Sequence, residues 1–360
     1  MHRCHELRLR RLKACLSDWR VDSLLVTGME NIRYFTSFTG SSAAAVVTPD
    51  SGFFLTDSRY MTQAYNEVCV RGIKIKGYKK QIEQVACLLN QSKVKRVGFE
   101  DKGITYEYYQ KLKSKLTGKR LIPLSDEVNR LRIKKDEAEI ETIRDAVRIG
   151  KRCFETAKRC IRAGVIENDI AVAMEFEMRK EGAEKAAFDI IVASGKRASL
   201  PHGKASLKAI KRGEMVVVDS GVMYKGYNSD ETCTFFVGAV TKKQRDIYNI
   251  VKEAHDAAIE CVMPGVKTSD IDKTARGIIK KAGYGKYFGH GTGHGVGLQV
   301  HEMPSISCTD NTVLEEGMVF TIEPGIYIPG WGGVRVEDML VVTADGCEVL
   351  TNVSKDITVL

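Results

Sequence analysis

The sequence predicts an α+β protein in which a small α/β domain, residues 1–127, precedes a larger α+β domain, residues 128–360. Three observations support this fold class. Short apolar runs alternate with helix-like segments in the first domain, the polar segment 126–136 interrupts that pattern, and the remainder contains an internal repeat. At 360 residues the chain exceeds one average domain, as two domains require.

The first domain is predicted from apolar runs of strand length. These are SLLV (23–26), AAAVV (43–47), GFFLT (52–56) and KRVGFE (95–100), and they are separated by helix-like segments such as TYEYYQKLKSKL (105–116). Such alternation is typical of a sheet with helices packed on it. No residue cluster in this domain suggests catalysis.

A long amphipathic helix is predicted at the start of the second domain. Apolar or small residues recur there in steps of three and four, at Ile140, Ile143, Val147, Gly150, Phe154, Ala157 and Ile161. This spacing places them on one face of a helix, which we expect to pack on the core.

The internal repeat is the most informative pattern of the second domain. AGVIENDI (163–170) aligns with PGVKTSDI (264–271), and Gly182 aligns with Gly283 at the same offset of 101. Each copy predicts a helix, a glycine-containing turn and a second helix closed by glycine, followed by strand-like runs. A duplicated unit of this kind would place two sheets side by side, with a site at the seam.

The composition excludes several function classes. A hydrophobic fraction of 43% and only 7 prolines are typical of a globular protein, and the basic start lacks the apolar stretch of a secretory signal. No segment approaches the ~20 apolar residues of a membrane span. The ten cysteines contain no CxxC pair, which favours reduced thiols and a cytoplasmic location. The net charge of +9 is spread along the chain among 46 acidic residues, so nucleic-acid binding is not expected.

Two aspartates in the segment VVVDSGVMYKGYNSDET (216–232) raise the question of function. A hairpin turning at Tyr224 and Lys225 would place Asp219 opposite Asp230, with Cβ atoms about 4.5–5.5 Å apart. Two buried carboxylates at that separation repel each other unless they are protonated or neutralised by cations. A pair of metal ions about 3.5–4 Å apart would neutralise both.

The second repeat supplies further candidate ligands. Glu323 ends the apolar strand of FTIEPG, and Glu337 lies in GGVRVED. The segment HGTGHGVGLQVH contains His290, His294 and His301, three of the seven histidines in the chain. Each feature alone has an ordinary structural explanation, such as a cap, an ion pair or a loop. Together, in two halves of a duplicated unit, they favour a metal site.

The chemistry of this donor set indicates a class of metal and of reaction. Four carboxylates and one imidazole suit Mn²⁺ and tolerate Zn²⁺ or Co²⁺, whereas structural zinc would favour cysteine. Two metal ions lower the pKa of the water between them and polarise a carbonyl group. The sequence therefore predicts hydrolysis by a metal-bridging hydroxide.

At this point the motifs resemble a known family. FDIIVASGKRASLPHG, VVVDSGVMYKGYNSDET, GHGVGLQVHEMP, FTIEPGIYIP and GGVRVED are similar to the catalytic domain of the Xaa-Pro peptidases, the pita-bread family of aminopeptidase P and prolidase. NIRYFTSFTG and FLTDSRY resemble the creatinase-type N-terminal domain that accompanies it. The resemblance implies a creatinase/aminopeptidase-like catalytic domain with a pseudo-twofold repeat, two divalent ions, proline-containing peptides as substrates and a homodimer.

The resemblance also implies roles for individual residues. Glu323 would handle the proton of the nucleophile, and Asp230 and Glu337 would be shared between the ions. His202 and His301 would stabilise the tetrahedral intermediate, while His290 would contact substrate. The five metal ligands would be Asp219, Asp230, His294, Glu323 and Glu337.

Four further positions qualify this prediction. Arg335 is either a partner of a ligand carboxylate or an ordinary ion pair, and His255 is expected to be structural. Cys233 stands where the family commonly has arginine, which could alter local packing. Ser305 stands near the point where dipeptide-selective prolidases carry an arginine that can pair with the free carboxylate of a dipeptide.

The missing arginine favours an aminopeptidase that releases the first residue of longer Xaa-Pro peptides. The alternative is an Xaa-Pro dipeptidase, or prolidase. Methionine aminopeptidases share the ligand pattern but are usually shorter and lack the leading domain. Metal-free relatives, such as creatinase-like enzymes or binding proteins, are disfavoured because all five ligand positions hold competent residues.

Overall fold

The computed structural model of the protein describes residues 2–360 and divides into two compact units between Arg132 and Ile133. The predicted boundary after residue 127 lies five residues earlier. The difference arises because the intervening residues bond to the first unit. Asn129 Oδ1 accepts a 2.9 Å hydrogen bond from Asn31, and the Leu131 carbonyl accepts one of 2.7 Å from the Tyr34 hydroxyl.

The first unit has the predicted α/β character. Its helices are α1 His2–Asp18, α2 Met29–Thr36, α3 Met61–Glu67, α4 Gln81–Gln91, α5 Tyr106–Lys115 and α6 Glu127–Arg130. Its strands are β1 Ser23–Val26, β2 Ala43–Val47, β3 Gly52–Asp57, β4 Ile73–Tyr78, β5 Arg96–Glu100 and β6 Arg120–Leu124. They form one mixed sheet in the order β4-β3-β2-β1-β5-β6. The apolar runs read from the sequence are its buried central strands.

The second unit contains four longer helices and several small antiparallel sheets. The helices are α7 Glu137–Cys160, α8 Glu167–Lys180, α9 Lys242–Glu260 and α10 Thr268–Lys281. The strands of its first half are β7 Lys185–Ala186, β8 Ile191–Ser194, β9 Met215–Ser220, β10 Val222–Tyr224, β11 Tyr227–Asn228 and β12 Glu231–Phe236. The strands that follow are β13 Gly293–Gly295, β14 Glu302–Ile306, β15 Val319–Ile322, β16 Gly325–Ile328, β17 Gly332–Arg335, β18 Asp338–Val342, β19 Cys347–Val349 and β20 Thr358–Val359.

The predicted long helix is α7. A capping box between Asp136 and Glu139 satisfies backbone N–H groups at its first turn. Six of the seven residues on its predicted face lie within the helix and are buried, and Ile161 follows as the C-terminal cap. Helix α9 begins in the same way, with a capping box between Thr241 and Gln244.

The internal repeat is confirmed by the succession of elements. Helices α7 and α8 precede the antiparallel strands β8-β9-β12, and helices α9 and α10 precede β13-β15-β18. Gly164 and Gly265 both adopt φ near +90°, a conformation that glycine tolerates best. Their amides donate to equivalent carbonyls, those of Ile210 at 2.8 Å and Leu314 at 2.9 Å. The two halves therefore share local bonding as well as element order.

The seam between the halves runs along β12 and the residues that precede β18. The Glu337 amide donates to the Thr232 carbonyl at 3.2 Å, and the Thr234 hydroxyl donates to the Arg335 carbonyl at 2.9 Å. The two half-sheets therefore meet at this line, as the repeat predicts.

The predicted register of the Asp219 hairpin is wrong, because the residue opposite Asp219 lies two positions further along the chain than predicted. Asp219 pairs with Thr232, and Tyr224 pairs with Tyr227, so the turn is centred on Lys225 and Gly226. Both turn residues have positive φ, +45° and +78°, as a two-residue turn that matches the strand twist requires. Glycine favours that conformation, and the turn chemistry therefore decides the register.

No helix within residues 2–360 combines the length and apolar character that a bilayer crossing requires.

Candidate metal centre

Equivalent strand ends bring four carboxylates to one cavity. Asp219 lies near the end of β9, and Glu323 directly follows β15. Asp230 and Glu337 directly precede β12 and β18, the next strands of the two antiparallel pairs. Each half therefore contributes one carboxylate where a strand ends and one where its partner begins.

The imidazole of His294, in β13, lies among these carboxylates. Its Nε2 is 3.6 Å from Asp230 Oδ2 and 3.5 Å from Glu323 Oε1. Ligand atoms of Asp230, His294 and Glu337 all lie within 4.8 Å of one another. Thr232 donates a 2.6 Å hydrogen bond to Glu337 Oε2, which orients that carboxylate.

Burial and mutual repulsion make the carboxylates costly to ionise without a cation. Burial, followed by the charge of Asp219, raises the pKa of Asp230 well above its usual range. Burial, followed by the charge of Asp230, does the same to the pKa of Glu337. Burial raises the pKa of Glu323 to about 7. A divalent cation would offset these shifts, because its charge favours the ionised form of each carboxylate.

Arg335 compensates part of this charge. Its guanidinium donates to Asp219 Oδ2 at 2.5 Å, and the arginine is only 3% exposed. It is therefore a buried partner of a candidate ligand and not a surface ion pair. The second oxygen, Asp219 Oδ1, is buried and has no hydrogen-bond partner among residues 2–360. An oxygen in this state is a natural metal ligand, because a buried carboxylate oxygen needs a partner.

The other histidines line the same cavity. The rings of His294 and His301 have centroids 4.2 Å apart. His290 Nδ1 lies 2.8 Å from the Gly291 carbonyl, which fixes that nitrogen as the donor. His290 Nε2 therefore accepts from the Tyr327 hydroxyl at 3.0 Å. Burial lowers the pKa of His290 to about 4 and that of His294 to about 3, so both rings are neutral near pH 7.

The cavity has a volume of about 460 Å³, enough for a small peptide. Phe188, Ile191 and Pro201 contribute apolar surface to its lining, and Asp189, Lys204, Ser305 and Ser307 contribute polar groups. All eight residues predicted as ligands, catalytic groups or substrate contacts line it, namely His202, Asp219, Asp230, His290, His294, His301, Glu323 and Glu337. Their individual roles stay predictions.

His255 lies elsewhere, as expected for a structural residue. It is 2% exposed, with Nδ1 3.0 Å from Asp256 and Nε2 3.2 Å from Asp338. Cys233 is likewise buried and does not line the cavity, and its sulfur lies 3.6 Å from Lys355 Nζ.

Sequence reasoning missed two residues that organise the site. Tyr327 accepts a 2.9 Å hydrogen bond from Arg335 while it donates to His290, and Thr232 accepts one of 2.9 Å from Arg335 Nε. A strand tyrosine and a strand threonine are ordinarily explained by packing. The sequence did offer one signal for them, since each residue lies within a few positions of a candidate ligand.

Two glycines of the histidine-rich segment serve strand packing. A Cβ atom at Gly293 would lie 1.9 Å from the Thr321 carbonyl oxygen, and one at Gly295 would lie 2.2 Å from the Met303 carbonyl oxygen. These glycines let β13 fit between β14 and β15, which holds His294 in place.

Comparison with known protein families decides the relationship. The model of metallopeptidase family M24 matches residues 141–344, more than half of the chain, and that of the creatinase/prolidase N-terminal domain matches residues 8–134. The chain belongs to metallopeptidase family M24. Membership of M24 confirms the resemblance read from the motifs, the pita-bread fold and the assignment as a metallopeptidase that uses divalent metal ions.

Several M24 proteins are similar over nearly their whole length. The chain is 40% identical to an Xaa-Pro dipeptidase of Pyrococcus horikoshii over 94% of each chain. A solved Xaa-Pro dipeptidase from Bacillus anthracis has a TM-score of 0.95 and 40% identity, covering 99% of this chain and 100% of its own. An X-Pro aminopeptidase from Thermotoga maritima has a TM-score of 0.89 and 38% identity, covering 98% and 99%.

Proposed function

We propose that this M24 chain is a two-metal Xaa-Pro peptidase whose preferred substrates are Xaa-Pro dipeptides. The observation that carries the proposal is the convergence of four carboxylates and one imidazole, from equivalent positions of two half-sheets, on one cavity. We assign Asp219, Asp230, His294, Glu323 and Glu337 as the ligands, with Asp230 and Glu337 shared between the ions.

The residues present fit a pair of divalent ions. The donors are oxygen-rich and hard, which favours Mn²⁺ over metals that prefer sulfur. Asp219 Oδ1 is buried without a hydrogen-bond partner within residues 2–360. Among the described residues that line the cavity, Arg335 is the one arginine beside the four carboxylates. When bound, two divalent ions supply Lewis-acid activation of a carbonyl and of water.

The side chains around the ligands suit peptide hydrolysis. Glu323 lines the cavity, and its carboxylate can accept a proton from the attacking water and pass it to the departing amine. His202 and His301 line the same cavity and can donate hydrogen bonds to the oxygen that becomes negative. His290, held by Tyr327 and the Gly291 carbonyl, lines the same cavity and can contact substrate.

The choice of dipeptides rests on two observations. Relatives that are 38–40% identical over at least 94% of their own length are named Xaa-Pro dipeptidase or prolidase. The cavity lining also includes Lys204, whose ammonium pairs with Asp189 and whose side chain is 72% exposed. A mobile surface lysine of this kind can turn to a substrate carboxylate and supply the charge that Ser305 does not.

The serine at position 305, where an arginine could bind a dipeptide carboxylate, supports a second candidate function, that of an aminopeptidase acting on longer Xaa-Pro peptides. It lines the cavity where an arginine could hold the carboxylate of a dipeptide, and a relative from Thermotoga maritima is named X-Pro aminopeptidase. A site without a fixed cation would leave space for a peptide that continues past proline.

Three matched substrates separate these candidates: an Xaa-Pro dipeptide, the same dipeptide amide, and the tripeptide Xaa-Pro-Xaa. Purified protein loaded with Mn²⁺ should cleave the free dipeptide with the highest kcat/KM. A higher kcat/KM for the tripeptide would establish the aminopeptidase. Elemental analysis is the control for metal-free relatives, because fewer than one bound ion per chain after growth in Mn²⁺ would contradict both.

We also propose a cytoplasmic location and a homodimer. All ten cysteines are free thiols, the state expected in a reducing compartment. Light scattering of purified protein would test the dimer, and a mass of 40.0 kDa, that of one chain, would contradict it.

A further inference from the structure

Two buried carboxylates lie directly behind the shared ligands. Glu231 follows Asp230, and Asp338 follows Glu337. Adjacent strand residues point to opposite faces of a sheet, so these side chains lie on the side away from the cavity. Neither residue lines the cavity, and they are only 3% and 5% exposed. The ligand pair at the seam is thus backed by a second pair of acids.

Lys355 joins these two acids across the seam. Its Nζ donates to Glu231 Oε1 at 2.5 Å and lies 3.1 Å from Asp338 Oδ1. The ammonium is almost fully enclosed, with a side chain that is 9% exposed. A buried ion group of this kind is sensitive to the loss of either sign of charge.

Two residues shortly before Lys355 also hydrogen-bond to Glu231 and Asp338. Thr351 donates a 2.6 Å hydrogen bond to Asp338 Oδ1, and the Val353 amide lies 3.2 Å from Glu231 Oε1. The segment Thr351–Lys355 therefore bonds to the acid behind each shared ligand. His255 Nε2, 3.2 Å from the other oxygen of Asp338, completes the group.

We propose that Lys355 is a positioning residue, which holds Asp230 and Glu337 at the spacing that lets them share two divalent ions. The inference rests on the proposed two-metal function. Asp230 belongs to the first half and Glu337 to the second, so their separation depends on how the half-sheets are joined. The ammonium draws the following residues of both strands together and fixes that separation.

Loss of the ammonium should weaken metal binding. Without it, the attraction that holds the two strands together is lost and, where both acids keep their charge, Glu231 and Asp338 also repel each other, so the strands that carry the ligands separate. Loss of a group that hydrogen-bonds to a metal ligand typically weakens affinity about 10–100-fold. Lys355 acts through the residues next to the ligands, so its loss should fall at the lower end of that range. The charge effect alone has the opposite sign, because removing a positive charge near a cation site strengthens cation binding. The direction of the change therefore distinguishes positioning from simple electrostatics.

The test is titration of Mn²⁺ and Co²⁺ into metal-free full-length protein, followed by calorimetry and by the Co²⁺ absorption spectrum. Lys355→Met should raise the dissociation constant of the weaker site at least tenfold and change the Co²⁺ spectrum, whereas Lys355→Arg should restore most of the affinity. Lys242→Met is the matched control, because this lysine is 93% exposed and its loss should leave both constants unchanged.

A double variant, Glu231→Gln with Lys355→Met, covers the case in which Lys355→Met does not fold. It removes one charge of each sign and should fold, but it still lacks the ionic bridge and should bind the second ion at least tenfold more weakly. Wild-type constants in either folded variant would overturn the inference. If the wild type itself binds fewer than two ions, the proposed function fails instead.

Discussion

Replacing Asp230 with asparagine tests whether cations hold the buried carboxylates together. Ligand atoms of Asp230 and Glu337 lie within 4.8 Å of each other. Two ionised oxygens at that distance repel each other by about 3.5 kcal/mol at an effective dielectric constant of about 20. Asparagine keeps the volume and removes the charge. The metal-free variant should therefore be more stable than metal-free wild type, by up to about 3 kcal/mol.

Bound metal should reverse this order. An ion present at a hundredfold excess over its dissociation constant stabilises the folded state by about 2.7 kcal/mol, so two sites contribute about 5.4 kcal/mol to the wild type. The variant lacks a shared carboxylate and should lose most of the contribution of at least one site. With Mn²⁺ in excess, the wild type should therefore be the more stable protein.

Scanning calorimetry with EDTA and with excess Mn²⁺ measures both orders. For a unit of this size, 1 kcal/mol shifts Tm by about 2–4 °C, so each difference should be several degrees. Asp189→Asn is the control, since it neutralises an exposed carboxylate of the same cavity outside the ligand set. A wild type that is more stable than the variant in EDTA, or that does not respond to Mn²⁺, would refute the reasoning.

Three further predictions concern packing, pH and substrate choice. Gly293→Ala should lower the free energy of unfolding by more than about 2 kcal/mol in urea titrations, because its Cβ would overlap a strand carbonyl. The control Gly277→Ala, in open space on α10, should raise the free energy of unfolding by about 0.5–1 kcal/mol, and equal effects of the two variants would contradict the packing argument. Burial opposes protonation of His255, but the hydrogen bond to Asp256 and then the nearby carboxylate of Asp338 raise its pKa above the ordinary value. Its stabilising contribution should therefore be complete below the unfolded-state pKa of about 6.5 and be lost as pH rises through the folded-state pKa. His255→Asn should abolish that part of the pH dependence of the urea midpoint, and an unchanged profile would contradict it. Finally, Lys204→Met should raise KM for an Xaa-Pro dipeptide about tenfold and leave KM for the dipeptide amide unchanged, while a parallel rise for both substrates would exclude pairing with the carboxylate.

Local signals in the sequence were sufficient for the elements and for the carboxylates that meet in the cavity. The three-and-four spacing from Ile140 to Ala157 depends only on helix geometry, and α7 follows it. The offset of 101 between Gly164 and Gly265 depends on a turn that each half closes by itself. Carboxylates in apolar strands were conspicuous because burial without a counter-charge is costly.

Longer-range geometry needed the tertiary structure. The register of Asp219 was decided by the positive φ values at Lys225 and Gly226, and a choice between neighbouring turn positions is invisible to strand alternation. The domain boundary moved to residue 132 because Asn129 and Leu131 bond to side chains about 100 residues earlier.

The sequence by itself therefore determined which groups are present and, through the repeat, that two similar units carry them. The tertiary structure decided which groups meet. Lys355 lies 124 residues from Glu231 and 17 from Asp338, yet its ammonium joins them. Pairing across such separations depends on how whole sheets pack, because no local propensity or spacing rule specifies which distant charge will neutralise a buried acid.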